Sequence, residues 1–135
     1  MQREFIDYIY YDSMRSQVCT VIKKEKQFYN FSTIKSFLNN LCLKNGASYD
    51  GRKESFKYLI KVRKFVPIYV NRQMMFFPIG KETWVNYFAI ENIKYHEHTC
   101  SIYFKDQTSI NSDHPRRIQN LQRFMFRFMW CIKRL

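Results

Sequence analysis

The sequence predicts a mixed α+β fold, an antiparallel and curved sheet with two main helices at about residues 33–44 and 113–134. Three observations lead there. Short runs rich in aromatic and β-branched residues recur between polar turns, the pattern of antiparallel strands. Two other segments place apolar residues at helical spacing. There is no internal repeat, low-complexity tract or linker, so residues 1–135 read as one domain. A hydrophobic content of 46% with 19% aromatics is enough to build a core.

Phe5 to Tyr11 reads as the first strand, Asp12-Ser13 opens a polar break, and Val18 to Ile22 is the second strand. Lys23 to Lys26 is a basic turn, after which Gln27 to Phe31 returns as a third. Ser32 offers an N-cap to a helix from Thr33 to Lys44, with Ile34, Phe37, Leu38 and Leu41 on its apolar stripe. Asn45-Gly46 closes it, because glycine takes the left-handed conformation that ends helices.

From Phe56 the period changes to two. Phe56, Tyr58, Ile60 and Val62 point one way and Lys57, Leu59, Lys61 and Arg63 the other, which predicts a half-buried strand with a cationic open face. Val66 to Val70 follows, with Pro67 marking an edge position or a strand start. Asn71-Arg72 turns into Met74-Met75-Phe76-Phe77-Pro78, apolar on both faces. Trp84 to Ile90 is the next strand, and the change of parity from Ile90 to Ile93 predicts a bulge near Glu91-Asn92. Thr99 to Phe104 alternates, and Lys105-Asp106-Gln107 makes a hairpin turn into Thr108 to Ile110.

The last segment, Ser112 to Leu135, carries Pro115 near its start, where a helix tolerates it. Ile118, Leu121, Met125, Phe128 and Ile132 form its apolar stripe. Arg116, Asn120, Arg123, Arg127, Trp130 and Arg134 align on the opposite side.

Charge narrows the choice of partner. Lys and Arg number 23 and Asp and Glu 11, a formal charge of +12. It gathers on the strand from Phe56, in the loop before it and on one side of the last helix. Such a field draws phosphate polymers or anionic membrane surfaces. A basic amphipathic helix can lie on a membrane, but this one closes a chain full of strands that need a cover, so its apolar stripe is assigned to the core. The start lacks the apolar run of a signal peptide, and no stretch approaches the roughly 18 apolar residues of a span. Cys19, Cys42, Cys100 and Cys131 have no paired spacing and read as reduced, mostly buried thiols of a cytoplasmic protein.

No catalytic motif is present: neither a nucleophile elbow, nor a phosphate-binding loop, nor a dinucleotide fingerprint. Asp7 with Asp12, or Glu91 with Glu97, are spaced like solvated surface groups, so no enzyme is expected. On an extended strand His96, His98 and Cys100 would share a face as zinc ligands. Without paired spacing or a fourth ligand nearby, they read instead as a hairpin tip beside a core cysteine, and neither metal nor cofactor is expected.

The segment Gly46-Ala47-Ser48-Tyr49-Asp50-Gly51-Arg52-Lys53 resembles the G-x-S-Y-x-G-R-K signature of the ComK family of competence transcription factors. The later order Pro67-Ile68, Phe76-Phe77-Pro78 and Trp84-Val85 agrees, as does the stretch from Ser101 to Ser112 leading into the last helix. The similarity runs from about Val18 to Leu135. It implies a DNA-binding activator that reads paired A/T-rich promoter boxes in double-stranded DNA, chiefly through the minor groove, as a homo-oligomer on the nucleoid. Minor-groove reading is degenerate among A·T pairs, so groove width and deformability carry much of the selectivity. The expected DNA contacts are Gly51, Arg52, Lys53, Lys57, Lys61, Arg63, Arg116, Arg123 and Arg127. Gly46, Ser48, Tyr49 and Trp84 are expected to be structural.

Family members commonly continue past the last helix with a tail, whereas this sequence ends at Leu135. That leaves an alternative role, a regulatory paralogue acting through mixed dimers with a full-length ComK-like partner. The order of elements also resembles one repeat of the TATA-box-binding protein, whose curved sheet sits on the minor groove with helices behind it.

Overall fold

The computed structural model describes residues 5–134. Its strands are β1 (Tyr8–Asp12), β2 (Gln17–Ile22), β3 (Glu25–Tyr29), β4 (Ile68–Asn71), β5 (Met74–Gly80), β6 (Thr83–Asn86), β7 (Ile90–Tyr95), β8 (Cys100–Phe104) and β9 (Ser109–Ser112). Its helices are α1 (Ile34–Lys44) and α2 (Tyr49–Ile60), both between β3 and β4, and α3 (Pro115–Lys133) at the end. The fold is α+β with antiparallel pairing throughout. The strands divide between a six-stranded sheet, in the order β3-β2-β1-β6-β5-β4, and a three-stranded sheet, β7-β8-β9.

The third helix is the main departure from the sequence expectation. Phe56 to Ile60 belongs to α2 instead of a strand, and Lys61 to Arg63 lie just beyond it. Alternation fits that stretch by coincidence. Tyr49, Phe56 and Ile60 are separated by seven and four residues, which puts all three on one helical face, and all three are buried. Tyr58, which a strand would have turned inward, is 75% exposed. Ser48 caps the helix and Asp50 sits in its first turn, both favourable to a helix start.

Two boundaries also move. Thr33, not Ser32, caps α1, its hydroxyl accepting the Ser36 amide at 3.0 Å. The run Trp84 to Ile90 is not one strand: β6 stops at Asn86, a 3-10 turn covers Tyr87–Ala89, and β7 begins at Ile90. The expected irregularity after Ile90 is present, as a register shift between Ile90 and Asn92.

β5 divides the interior. Met75, Phe77 and Ile79 enter a core shared with Phe56 and Ile60 of α2, the small sheet and the apolar stripe of α3. Phe76 enters a second core with Ile9, Val18, Ile68 and Val70 under α1. This is the two-faced apolar character of Met74 to Pro78, realised as a strand buried on both sides. Both faces of the central strands are therefore covered, and neither is left open in the way a saddle on a groove requires.

The corner between the sheets is held by Asn86, which is fully buried. Its Oδ1 accepts the amides of Met75 (3.1 Å) and Phe88 (3.2 Å). Its Nδ2 donates to the carbonyls of Ile6 (2.9 Å) and Gln73 (2.8 Å). All four hydrogen-bonding positions of the amide are used. Asn86→Asp would remove both donors and bury a charge in their place. We expect a loss of at least about 2 kcal/mol in urea unfolding at neutral pH, and an unchanged midpoint would refute this role for the corner.

Asp7 fixes a second junction. Its Oδ2 accepts the Lys23 amide (3.1 Å) at the β2–β3 turn and, more weakly, the Thr108 hydroxyl (3.4 Å) beyond the β8–β9 turn. Burial, with the Asp106 carboxyl beside it, pushes Asp7 up to about 7 from 3.8. Burial also tends to raise Asp106, but hydrogen bonds involving Asp7 and Thr108 outweigh it and hold Asp106 below its ordinary value. Between about pH 4 and 7 Asp7 therefore keeps its proton beside an ionised Asp106. Because the native state keeps the Asp7 proton that the unfolded chain has lost, this group's contribution falls as pH rises from about 4 to about 7, and is flat above. Asp7→Asn mimics the protonated form and should flatten that part of the stability profile. Equal slopes for wild type and variant in urea melts across that range would remove the assignment.

Candidate nucleic-acid interface

The signature segment builds a connection between two helices. Gly46 follows the α1 C-cap at φ +89°, where a side chain would be strained. Its amide donates to the Leu43 carbonyl (3.3 Å) and that of Ala47 to the Cys42 carbonyl (3.1 Å), the double closure of a Schellman motif. Ser48 then caps α2, its hydroxyl accepting the Gly51 amide at 2.9 Å. A Cβ on Gly51 would meet that hydroxyl at 3.1 Å, tighter than ordinary contact. Tyr49 is buried, and its amide donates to Asn39 Oδ1 (2.9 Å).

Arg52 turns back over this connection. Its Nη2 donates to the Asn45 carbonyl (3.3 Å) and its guanidinium lies 5.6 Å from the Tyr69 ring centroid. Its Nε is buried without a hydrogen-bond partner among the described residues. So Gly46, Ser48, Tyr49, Gly51 and Arg52 all have structural employment in joining α1 to α2 and β4. Arg52→Lys keeps the charge but not the planar fork. It should cost about 1 kcal/mol in urea unfolding, and an unaltered midpoint would show that the fork carries no structural load.

The other expected contacts fall on α2, its C-terminal loop and α3. Lys53 is half-buried. Lys57 pairs with Glu54 at 3.6 Å. Lys61 is the α2 C-cap in the left-handed conformation, with its ammonium 5.1 Å from the Tyr58 ring. Arg63 is exposed in the loop to β4, and Arg116, Arg123 and Arg127 are exposed along α3. Among the described residues, Lys53, Arg63, Arg116, Arg123 and Arg127 make no ion pair. Trp84, in β6 between Ile9 and Pro78, packs against the core under α1.

The structure brings part of this set together. Phe56 of α2 stacks on Phe128 of α3 with centroids 4.6 Å apart. Arg117, not singled out from the sequence, lies 3.7 Å over the ring of Phe65. That contact holds the loop bearing Arg63 and Lys64 against the first turns of α3, which bear Arg116 and Arg117. Phe65 itself is 44% exposed and adopts φ +55°, an unusual conformation for a bulky residue. Arg123 and Arg127 lie farther along α3, beside a groove of about 540 Å³ lined also by Tyr87, Tyr95, Gln119, Gln122 and Phe126. Neither Phe65 nor this groove was legible in the sequence, since each forms only when segments distant in the chain pack together.

The other candidates do not assemble into chemistry. His96 to Thr99 form the β7–β8 turn, closed by the His96 amide on the Thr99 carbonyl (2.8 Å), with both histidines exposed and Cys100 buried. No group of three metal-ligating side chains occurs among the described residues. Asp12 accepts the Met14 and Arg15 amides and pairs with Arg15, away from Asp7 in both role and partner. Asp7 is therefore buried and paired with Asp106, instead of a solvated surface carboxylate.

These features define a small, strongly basic α+β protein in which two packed helices and the loop between them and the sheet carry one group of unpaired cations. The family model described as ComK protein matches residues 8–123 of the 135-residue chain. The chain belongs to the ComK family, and this membership marks it as a competence-related regulator. No curated protein and no solved structure matches it. Among the described residues, no helix is long and apolar enough to cross a membrane.

Proposed function

We propose that this protein is a DNA-binding transcription regulator of the cytoplasm and nucleoid, acting as one domain on A/T-rich promoter boxes, mainly through the minor groove. The observation that carries the reading is the loop Lys61–Phe65 docked on the start of α3. It offers Arg63 and Lys64 beside an exposed aromatic ring, with Arg116 and Arg117 supplied by the neighbouring helix. Cations flanking an apolar wedge suit a narrow, electronegative A/T minor groove.

The exposed side of α2 suits DNA less well. The four-residue, glycine-containing connection from α1 has the length of a helix-turn-helix. Yet Asp50 and Glu54 are exposed on α2 and would meet phosphates. The contact is therefore assigned to the C-terminal end of α2, its loop and α3. Paired boxes require two copies of a chain this size, so a homo-oligomer is the functional form.

Joint replacement of Arg63 and Lys64 by Ala tests the reading in exposed positions. Fluorescence anisotropy on an A/T-box duplex should show about ten-fold weaker binding at low salt. The slope of log affinity against log salt should fall by about 2, one for each cation removed. An unchanged slope, or equal affinity for A/T and G·C duplexes in the wild type, would sink the proposal.

A further inference from the structure

The groove between α3 and the small sheet has a composition that duplex binding does not explain. Its walls are aromatic: Tyr87 from the 3-10 turn, Tyr95 from the end of β7, and Phe126 from α3. Phe126 is 66% exposed, and Trp130, one helical turn on, is 53% exposed. Single exposed apolar residues are ordinary, but two large rings in adjacent turns beside a groove form a patch that calls for an occupant.

The polar groups are arranged. The Tyr95 hydroxyl donates to Gln122 Oε1 at 2.6 Å, which leaves the Gln122 amide nitrogen free to act as a donor. Burial pushes the Tyr95 phenol up to about 12, so it stays a neutral donor at any physiological pH. Gln119 adds a second amide, and Arg123 and Arg127 add two cations, with no carboxylate in the lining. The volume of about 540 Å³ lies in the range of small-ligand sites.

A flat π surface, amides able to pair with ring carbonyls, and guanidinium groups for a phosphate are complementary to one chemical class. We propose that this groove takes an unpaired nucleobase of single-stranded nucleic acid, stacked on Phe126 and the tyrosine walls, with its phosphate held by Arg123 or Arg127. An acidic peptide would use the arginines but leave the aromatic walls and both amides without partners. The site shares Arg123 and Arg127 with the proposed duplex surface, but the stacking residues are separate from it, so the two readings can fail independently.

The test uses the full chain and three fluorescent probes of equal length: single-stranded dT12, a 12-unit abasic deoxyribose-phosphate strand, and the A/T-box duplex. Wild type should bind dT12 about ten-fold more tightly than the abasic strand, the effect of stacking one base. Phe126→Ala, at a largely exposed position, should remove that difference and leave duplex affinity within about two-fold, since Phe126 lies outside the proposed duplex surface. Gln119→Ala should reduce the difference in part. Equal binding of dT12 and the abasic strand by the wild type overturns the proposal, as does a base preference that survives Phe126→Ala. Displacement of dT12 by a polyglutamate peptide as effectively as by unlabelled dT12 assigns the groove to charge alone and also overturns it. Loss of duplex binding alone, with the base preference intact, counts against the duplex reading and not against this one.

Discussion

The arrangement of everything after β6 depends on one side-chain amide. At Asn86 the chain must leave the six-stranded sheet, turn, and start a second sheet in the opposite layer. A corner of this kind strands backbone groups in the interior, where each unpaired one would cost on the order of 1–3 kcal/mol. Asn86 satisfies four of them at once, from Ile6, Gln73, Met75 and Phe88. An aspartate has no donors, and a leucine has neither donor nor acceptor. The amide therefore sets where the small sheet sits, and through β9 where α3 begins. Gly80 and His114 show how close that approach is: a Cβ on Gly80 would come within 2.8 Å of the imidazole.

α2 makes a second connection, between the two cores. Tyr49 at its start belongs to the core under α1, whereas Phe56 and Ile60 belong to the core under α3. A single twelve-residue helix thus links the two apolar clusters along the β4 edge of the large sheet. This gives the signature octapeptide its physical meaning. Its glycines and serine end one helix and start the next within four residues, and Arg52 ties the connection to β4 through Tyr69. A motif that looks from its composition like an anion-binding turn is first a folding device. Its two cations differ in placement: Arg52 faces the protein, and Lys53 has no ion-pair partner among the described residues.

How far the sequence could be read follows from whether a signal is local. The stripe of α3, the closure of α1 at Gly46, the β8–β9 hairpin and the irregularity after Ile90 are written in spacing and turn chemistry, and all were legible. Phe56 to Arg63 reads as a strand although its apolar residues at every second position also include a pair four apart, Phe56 and Ile60. Ser48 and Asp50 were the available tie-breakers, since both favour a helix start. The role of Asn86 was not legible, because an isolated Asn in a strand-like run shows nothing of partners spread from Ile6 to Phe88. The same holds for the site. The identity of the cations could be listed from the sequence, but the inward turn of Arg52 and the docking of Phe65 under Arg117 depend on packing between segments about 17 and 52 residues apart, distances along the chain that no local pattern reports.

α3 shows why charge and apolar surface must be read by side and not by total. Ile118, Leu121, Met125 and Phe128 bury one stripe, so the hydrophobicity that a membrane would need is already committed to the core. One flank meets α2 and its loop through Phe128 and Arg117. The other borders Tyr87 and Tyr95 across the groove. Between them runs the arginine ridge, which solvent screens and phosphate would neutralise. Two exposed rings remain, Phe126 and Trp130, and both lie toward the groove flank and its arginines, with Arg134 stacked 3.9 Å over Trp130. A ridge built only for the electrostatic attraction of a duplex gains nothing from such rings. Their cost in exposed apolar area makes physical sense where a flat partner can cover them, as the proposed base-stacking site would, which sets the aromatic flank of α3 apart from its cationic one.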